Sequence, residues 1–323
     1  SSAASDVYKR QVIYSVELDN FLFVKNNSYE IIDDAYLALK YPVDKKHQID
    51  DFLEVMTELY RDYIEVNHGY NILPYAFAGN DFVYHCKHLK LEKKELQTNE
   101  LYAMKYDVNY NNLDFDTPSR FYELVTENEK SKHNLKLVHA YSMYRKMELI
   151  QAEKWFLFKD FGRSGKGLFI TTFNKILQVN KVNFDSLLSK SFESVNEWMN
   201  FYGADIAHAN ETGEITKAMM RILRKIATGE IVSGRGIGNN TFKFKNNAVL
   251  ILDTNENVDT GDITANTTRT IKIAFKDRPH GETDYERYQI FKPYWNFVKP
   301  NDEDSENASV SFLSLIHISE PTR

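Results

Sequence analysis

The sequence has little cysteine, glycine or proline, and each shortage narrows the class of protein. Cys86 is the single cysteine among 323 residues, which excludes an intramolecular disulfide and suits a reducing interior. With 13 glycines, 7 prolines and 42% apolar residues, the composition is that of a globular chain. No apolar run approaches the roughly 18 residues of a membrane span, and no signal peptide is visible. We therefore expect a globular protein without a membrane partner.

The sequence also lacks an excess of positive charge, with 40 Lys and Arg against 46 Asp and Glu. The formal net charge is −6, so a generally basic surface is excluded and any contact with nucleic acid has to come from a local patch. The length predicts about two domains, with ample chain for a buried core. Residues 1–11 and 314–323 look like translated sequencing-adapter read-through, and we expect native chain to be missing at both ends.

The first half of the chain predicts a mixed α and β region. Phe21-Leu22-Phe23-Val24 suits a strand, and residues 49–66 place apolar side chains at helical spacing. Residues 72–116 are β-rich, and a helical tract follows from Pro118 to Met147. The run His85-Cys86-Lys87-His88 lacks the ligand spacing of a zinc site, so no metal is expected there.

The central feature is a short apolar run that breaks into glycines and resumes as a helix. Residues 155–158 predict a strand, and the loop that follows has the residues of a phosphate cradle, which are Gly162, Arg163, Ser164, Gly165, Lys166 and Gly167. Glycines let backbone N–H groups turn inward, and a lysine at this place can contact the terminal phosphates. Asp160 stands where the usual pattern has its first Gly, and Gly167 where it has a magnesium-binding Ser or Thr. An ordinary turn between a strand and a helix is the alternative.

A nucleoside triphosphatase also needs an acid at the end of a strand beside the cradle. Residues 204–210 predict a strand that ends next to Glu211, which is the candidate to hold Mg²⁺ through water and to orient the attacking water. Asp205 is the second candidate metal ligand. The alternative for Glu211 is a solvated side chain that opens the next helix.

A basic stretch follows that acid. Between residues 214 and 245 there are seven Lys or Arg and two Glu, on an amphipathic helix ending at Ala227 and on a glycine-tipped hairpin. Basic charge near a flexible hairpin tip suits contact with a phosphodiester backbone, although a charged helix face is more often only solvated. Residues 249–255 then predict a strand ending in Asn255, and Arg269 precedes another.

Taken in order, these five features resemble the superfamily 3 helicases, and more closely the helicase part of poxvirus-type primases of phages and plasmids. The resemblance covers about residues 72–280. It implies that Lys166 is the Walker A lysine, that Glu211 is the Walker B acid and that Asn255 is the sensor asparagine. It places Lys225 and Arg235 in the DNA-contacting motif, to which we add Lys243 on the hairpin. By the same resemblance Arg269 is an arginine finger that reaches the ATP of a neighbouring subunit.

The fold implied is an α/β P-loop NTPase domain, AAA+-like, with three layers and a parallel central sheet, preceded by a mixed α+β N-terminal domain. The expected boundaries are 12–150 for the N-terminal region, 151–280 for the ATPase domain and 281–313 for a C-terminal extension without assigned chemistry. The loss of a hydroxyl at Gly167 is expected to leave Mg²⁺ to Glu211, Asp205 and water, or to Thr171 or Thr172.

The expected function is an ATP-dependent DNA helicase module of a phage or plasmid replication primase-helicase. ATP and Mg²⁺ are its expected cofactors, single-stranded DNA and a homohexamer its partners, and the cytoplasm of a bacterial host its location. The alternative is an ATP-binding module for origin recognition or assembly with weak or no hydrolysis, because Gly167 replaces the hydroxyl. A structural protein with an incidental cradle is a third possibility.

Overall fold

Among the described residues, the first of two compact units runs to Tyr110 and also includes residues 241–242, and the second takes the remainder from Asn111 onward. The computed structural model describes residues 11–33, 69–151, 153–160, 162–189, 192–210, 212, 217–235, 241–255, 268–297 and 304–313. The helix predicted at 49–66, the hairpin tip at 236–240, Glu211 and the adapter-like segment 314–323 lie outside these ranges. No helix within them is both long and apolar enough to cross a membrane.

The first unit is built on a mixed sheet. Its strands are β1 (Gln11–Ser15), β2 (Asn20–Lys25), β3 (Ser28–Ile32), β4 (Asn71–Ala78), β5 (Phe82–His85), β6 (Lys90–Lys93) and β7 (Glu100–Lys105). In the order β1-β2-β3-β7-β4-β5-β6, only β7 pairs in parallel, with β3 and with β4. Alternate residues of β2 and β4 point into small apolar clusters around Leu22 and Ala78.

The second unit contains the described helices. They are α1 (Asp116–Val125), α2 (Glu129–Lys146), α3 (Lys166–Thr171), α4 (Phe184–Leu188), α5 (Phe192–Trp198), α6 (Lys217–Ala227), α7 (Asp284–Phe291) and α8 (Asp304–Leu313). The tract predicted from Pro118 to Met147 is two helices. The break falls where Asn128 caps α2 by accepting a hydrogen bond from the Ser131 N–H.

The sheet of the second unit is parallel throughout. Its strands are β8 (Trp155–Lys159), β9 (Val179–Lys181), β10 (Ile206–Ala209), β13 (Val249–Thr254) and β14 (Thr270–Ala274). A separate two-stranded sheet consists of β11 (Ile231–Gly234) and β12 (Phe242–Lys245). The order is β14-β8-β13-β10-β9, while β11 and β12 pair with each other. Each neighbouring pair of the five-stranded sheet is parallel.

Both faces of the central strands are covered, which is why these strands are continuous apolar runs. Trp155, Phe156, Leu157 and Phe158 of β8 are all buried, and every residue of β13 is buried. On one face, Phe156 packs against Tyr141 of α2 and Phe158 against Phe169 of α3. The predicted fold class, a three-layer P-loop NTPase domain with a parallel central sheet, is confirmed by this architecture.

The α1–α2 pair belongs to the same unit as the parallel sheet. Thr126, between the two helices, forms an antiparallel bridge with Phe275 just after β14. The hydroxyl of Ser131 in α2 accepts a hydrogen bond from the Ala274 N–H at 3.0 Å. These contacts attach the helices to the edge strand of the sheet, so the boundary expected near residue 150 falls inside the second unit.

Candidate nucleotide-binding site

The carboxyl ends of three neighbouring strands bring the candidate site together. β8 ends at Lys159 and is followed by Asp160, β13 is followed by Asn255, and β10 is followed by Asn210. Because β8, β13 and β10 are adjacent and parallel, these three side chains lie at one edge of the sheet. Ligands of open parallel sheets bind at this edge.

The loop after β8 has the backbone of an anion cradle. Gly162, Arg163 and Gly165 all adopt positive φ, at 106°, 60° and 99°. Successive turns of this kind direct backbone N–H groups into one concavity. Gly165 is required for a second reason, because a Cβ there would approach Phe291 to 2.9 Å. The predicted cradle therefore has the local geometry that phosphate binding needs.

Asp160 is the hub of hydrogen bonds in this loop. Its Oδ1 lies 2.6 Å from Lys166 Nζ, and its Oδ2 accepts a hydrogen bond from the Ser164 hydroxyl. The Asn255 amide nitrogen, in the orientation that satisfies both groups, donates to Asp160 Oδ1 at 3.0 Å and to its carbonyl oxygen at 3.1 Å. The Asp160 side chain is 1% exposed and that of Lys166 is 13% exposed. Lys166 and Asn255, 89 positions apart, thus meet on one buried carboxylate.

A cavity of about 510 Å³ opens beside this hub. It is lined by the cradle from Gly162 to Gly167 and by Thr171, His208, Asn210, Asp253 and Asn255. Its volume is in the range of small-molecule sites, about 300 to 1,000 Å³. The cavity is therefore large enough for a triphosphate group and its metal ion.

A buried pair of side chains forms the back of the cavity. His208 Nε2 lies 3.0 Å from Asp253 Oδ2, and both side chains are almost fully buried. Asp253 Oδ1 is buried and has no hydrogen-bond partner among the described residues. A buried carboxylate oxygen without a partner destabilises the fold unless a ligand binds to that oxygen. It is an oxygen ligand of the kind that Mg²⁺ takes.

The residues present therefore fit a magnesium ion, with Thr171, one of the alternatives predicted from the sequence, and with Asp253 and Asn210, which were not predicted. Asp253, Asn210 and Thr171 border the cavity and would hold the ion together with phosphate oxygens and water. Thr172 is buried elsewhere, donating its hydroxyl to Phe169 O at 2.6 Å and bonded to His139. No cluster of three or more His, Cys, Asp or Glu occurs in the described ranges.

Asp205, the second predicted metal ligand, is not brought into the site. It precedes β10, so it lies at the amino end of the strand, about four residues or roughly 13 Å from the cradle edge. Both of its carboxylate oxygens are 2.8 Å from Lys146 Nζ, and one also accepts from the Gln178 N–H. Its carboxylate is the right type of metal ligand, but it lies at the opposite end of β10 from the cavity. Glu211 lies outside the described residues.

The predicted DNA-contacting and finger residues also lie away from the cradle. Lys225 of α6 has its ammonium 5.3 Å from the centroid of the Trp198 ring, and Lys243 of β12 is exposed. The backbone N–H of Arg235 donates to Val195 O at 3.2 Å. Arg269 precedes β14 and so lies at the amino end of the sheet. From there it does not line the cavity of its own chain.

Sequence analysis assigned no chemistry to the segment after β14, yet it borders the cradle. Phe291 of α7 packs over Gly165, and Asp284 lies 3.6 Å from Arg163. The signal was in the sequence, because Thr283 and Glu286 form the capping box that starts α7. His208, Asn210 and Asp253 were missed because their importance comes from the pairing of β10 with β13.

Gly167 gives a direct test of the metal site. A Cβ at Gly167 meets no atom within 4 Å, so Gly167→Ser should fold normally and supply the missing hydroxyl. We expect Mg²⁺ to strengthen ATP binding by about tenfold more in this variant than in the parent protein. Isothermal titration of ATP with and without Mg²⁺ measures this. Gly167→Ala is the matched control, because it adds the Cβ without the oxygen; equal behaviour of the two variants would contradict the expectation.

No family model matches the chain, and no curated protein matches it. Among solved structures, it is similar to the apo C-terminal region of NrS-1 (residues 305–718), at 13% identity and a TM-score of 0.46, covering 99% of this chain and 74% of that one. It is also similar to an inhibitor-bound JCV helicase, at 12% identity and a TM-score of 0.39, covering 64% of this chain and 55% of that one. Similarity at these TM-scores is coarse, and the fold and the site follow from the strand order and from the contacts around Asp160.

Proposed function

We propose that this chain is an ATP-driven DNA helicase module of a phage or plasmid replication protein that acts as a homohexamer on single-stranded DNA. The observation that carries the proposal is the meeting of Lys166 and Asn255 on Asp160, beside a cradle at the carboxyl edge of a parallel sheet. A lysine and a strand-end amide that border one cavity can contact the same triphosphate. The resemblance of the five ordered motifs supplies the helicase part of the proposal.

Lys166 has to exchange partners when nucleotide binds. Its ammonium pairs with Asp160 at 2.6 Å, and the β- and γ-phosphates would compete with that carboxylate for it. Because Asn255 donates to the same carboxylate oxygen, release of Lys166 leaves that oxygen with Asn255 as its remaining donor. This shared contact would couple phosphate binding to the tip of β13. Bound Mg²⁺ neutralises phosphate charge, and Asp253, Asn210 and Thr171 are placed to orient it.

Two further roles are proposed for Glu211 and Arg269. Glu211 directly follows Asn210, which lines the cavity, and is proposed to orient the attacking water. Arg269 is proposed to act on the cavity of a neighbouring subunit, where such fingers contribute about 10³ to 10⁵ in rate. Its place at the amino end of β14 favours action in trans, because the cavity of its own chain lies at the carboxyl end.

The DNA contact is proposed on α6 and the β11–β12 pair. Arg221 and Arg224 of α6 are exposed, as are Lys243 and Lys245 of β12. Phe244, between these two lysines, is buried, so the alternation of the strand places both cations on its outer face. Such cations release counterions from a phosphodiester backbone, which makes the binding salt-dependent.

Hydrolysis measured as phosphate release, with and without single-stranded DNA, tests the proposal. We expect hydrolysis that DNA stimulates, and a loss of at least about 100-fold in Glu211→Gln, because water is no longer activated. Glu153→Gln, an exposed carboxylate away from the cavity, is the control. ATP that is bound but not consumed by the parent protein would favour the assembly module, and absence of ATP binding would contradict both functions.

A further inference from the structure

A row of side chains crosses the central sheet beside the cavity, one from each of four neighbouring strands. The register aligns Phe158 of β8 with Asp253 of β13, and His208 of β10 with Lys181 of β9. It also aligns His208 with Ile251, two residues before Asp253. Because side chains alternate along a strand, Asp253 and His208 project from the same face as diagonal neighbours.

Asp253 is a carboxylate in an apolar part of this row. Its side chain is 3% exposed. Its neighbour on the β8 side, Phe158, is fully buried and packs against Phe169 and Phe275, so it offers no strong hydrogen-bond donor. The donor comes from the β10 side, where His208 Nε2 lies 3.0 Å from Asp253 Oδ2. An ionised carboxylate only accepts hydrogen bonds, so His208 Nε2 carries a proton.

This hydrogen bond gives the two oxygens of Asp253 different surroundings. Oδ2 accepts from His208, whereas Oδ1 is buried and has no hydrogen-bond partner in the part of the chain that the structure describes. The residue borders the phosphate cavity. A donor that holds one carboxylate oxygen restricts rotation of the group and leaves the other oxygen for a ligand. Loss of such an outer partner typically lowers metal affinity by about 10- to 100-fold.

We propose that His208 is a positioning residue for the magnesium ion of the nucleotide complex. It acts through Asp253, because its Nε2–H holds Oδ2 and leaves Oδ1 as the oxygen that the ion can take. The inference rests on the proposed function and assigns a role to a side chain that does not itself have to ligate the ion. Because Gly167 supplies no hydroxyl, the orientation of Asp253 matters more here than in a cradle with Ser or Thr.

The magnesium dependence of nucleotide binding tests this role. Titration calorimetry with a non-hydrolysable ATP analogue, in EDTA and in Mg²⁺, gives the ratio of the two affinities. His208→Phe keeps a ring of similar size but cannot donate, so it should lower this ratio about tenfold and change the affinity in EDTA by less than about twofold. His208→Gln can donate through its amide nitrogen in place of Nε2–H and should restore most of the ratio.

A second background shows whether His208 acts through Asp253. In Asp253→Asn the metal-binding carboxylate is gone, so adding His208→Phe should change the ratio by less than about twofold further. Ile206→Val is the control for stability, because Ile206 is buried in the same strand and does not border the cavity. It should lower the Tm and keep the ratio of the parent protein, since a purely structural role does not alter magnesium dependence.

Thermal denaturation first establishes which variants fold. If His208→Phe does not fold, His208→Asn takes its place with the same expected ratio, because its amide nitrogen lies closer to the backbone and does not reach Asp253. A folded variant of either kind with the ratio of the parent protein, or a further tenfold loss in the Asp253→Asn background, would overturn the role. So would a parent protein whose nucleotide binding Mg²⁺ does not strengthen. Failure of the parent protein to bind the analogue in both conditions would instead refute the proposed function.

Discussion

Replacement of Lys166 by alanine is expected to abolish ATP hydrolysis and also to lower the free energy of unfolding of the nucleotide-free protein by about 3 to 5 kcal/mol. Lys166 lies 2.6 Å from Asp160, whose side chain is 1% exposed. Without the ammonium, the hydrogen bonds that the described residues leave to this buried carboxylate are those of Ser164 and Asn255. A buried charge that loses its partner costs more than the pair itself contributes. The usual test of a cradle lysine would therefore combine a catalytic effect with an effect on folding.

The two effects can be separated with Asp160→Asn. In the double variant with Lys166→Ala, the buried charge is gone, so most of the lost stability should return while hydrolysis stays absent. Asp160→Asn alone leaves Lys166 without its competing carboxylate and should bind ATP more tightly than the parent protein. Urea denaturation of the four proteins, with phosphate release measured in parallel, gives both quantities. A Lys166→Ala protein as stable as the parent would show that the ion pair contributes nothing, and continued hydrolysis would refute the function.

The sequence was most informative where burial determines residue type. β8 and β13 are buried on both faces, so they are apolar runs that can be recognised without knowledge of their partners. The cradle between β8 and α3 was predictable because positive φ favours glycine at positions 162 and 165. Lys166 and Asn255 were predictable as well, because Lys166 directly follows the glycine loop and Asn255 directly follows the apolar run of β13.

Other parts depend on pairings that the sequence does not display. β9 has only the three residues Val179–Lys181, and their mixed polarity gives no strand signal. Asp205 and Asp253 are both acids near strands, but only Asp253 lies near the carboxyl end of its strand. The bounds of a strand predicted from sequence are uncertain by about two to four residues, which is comparable to the whole length of β10. The bond from His208 to Asp253 joins residues 45 positions apart and depends on the register of β10 with β13.

The end of the cradle helix α3 is also held by a buried histidine of α2. His139 of α2 accepts a hydrogen bond from the Tyr122 hydroxyl at Nδ1, at 3.1 Å, and its Nε2 lies 2.9 Å from Thr172 Oγ1. Because the Thr172 hydroxyl donates to Phe169 O, it has to accept from His139 Nε2–H. The ring is stacked between Phe173 and Phe312, at centroid distances of 4.1 and 5.3 Å. The neutral ring therefore satisfies both neighbours and connects α2 to the end of α3.

This arrangement predicts that stability falls as the pH is lowered from 7 to 5. Burial lowers the pKa of His139 to about 3, against an ordinary value of 6.5. Between these two values the unfolded chain binds a proton that the folded chain does not, so the contribution of His139 is complete above about pH 6.5 and is lost as the pH falls. The loss by pH 5 is about 2 kcal/mol of unfolding free energy. Carboxylates contribute little in this window, since their ordinary pKa values lie near 4.

Urea denaturation at pH 7 and at pH 5 measures the effect as a difference between two free energies of unfolding. His139→Gln cannot titrate, so its stability should change by about 2 kcal/mol less than that of the parent protein between the two pH values, whatever its absolute stability. His133→Gln is the matched control, because His133 lies on the same helix and is exposed. A parent protein and a His139→Gln variant with the same pH dependence would mean that the folded protein protonates this ring at pH 5 as readily as the unfolded chain does. The chain of hydrogen bonds from Tyr122 through His139 to Thr172 would then be wrong in its direction, since a protonated Nδ1 cannot accept from the Tyr122 hydroxyl.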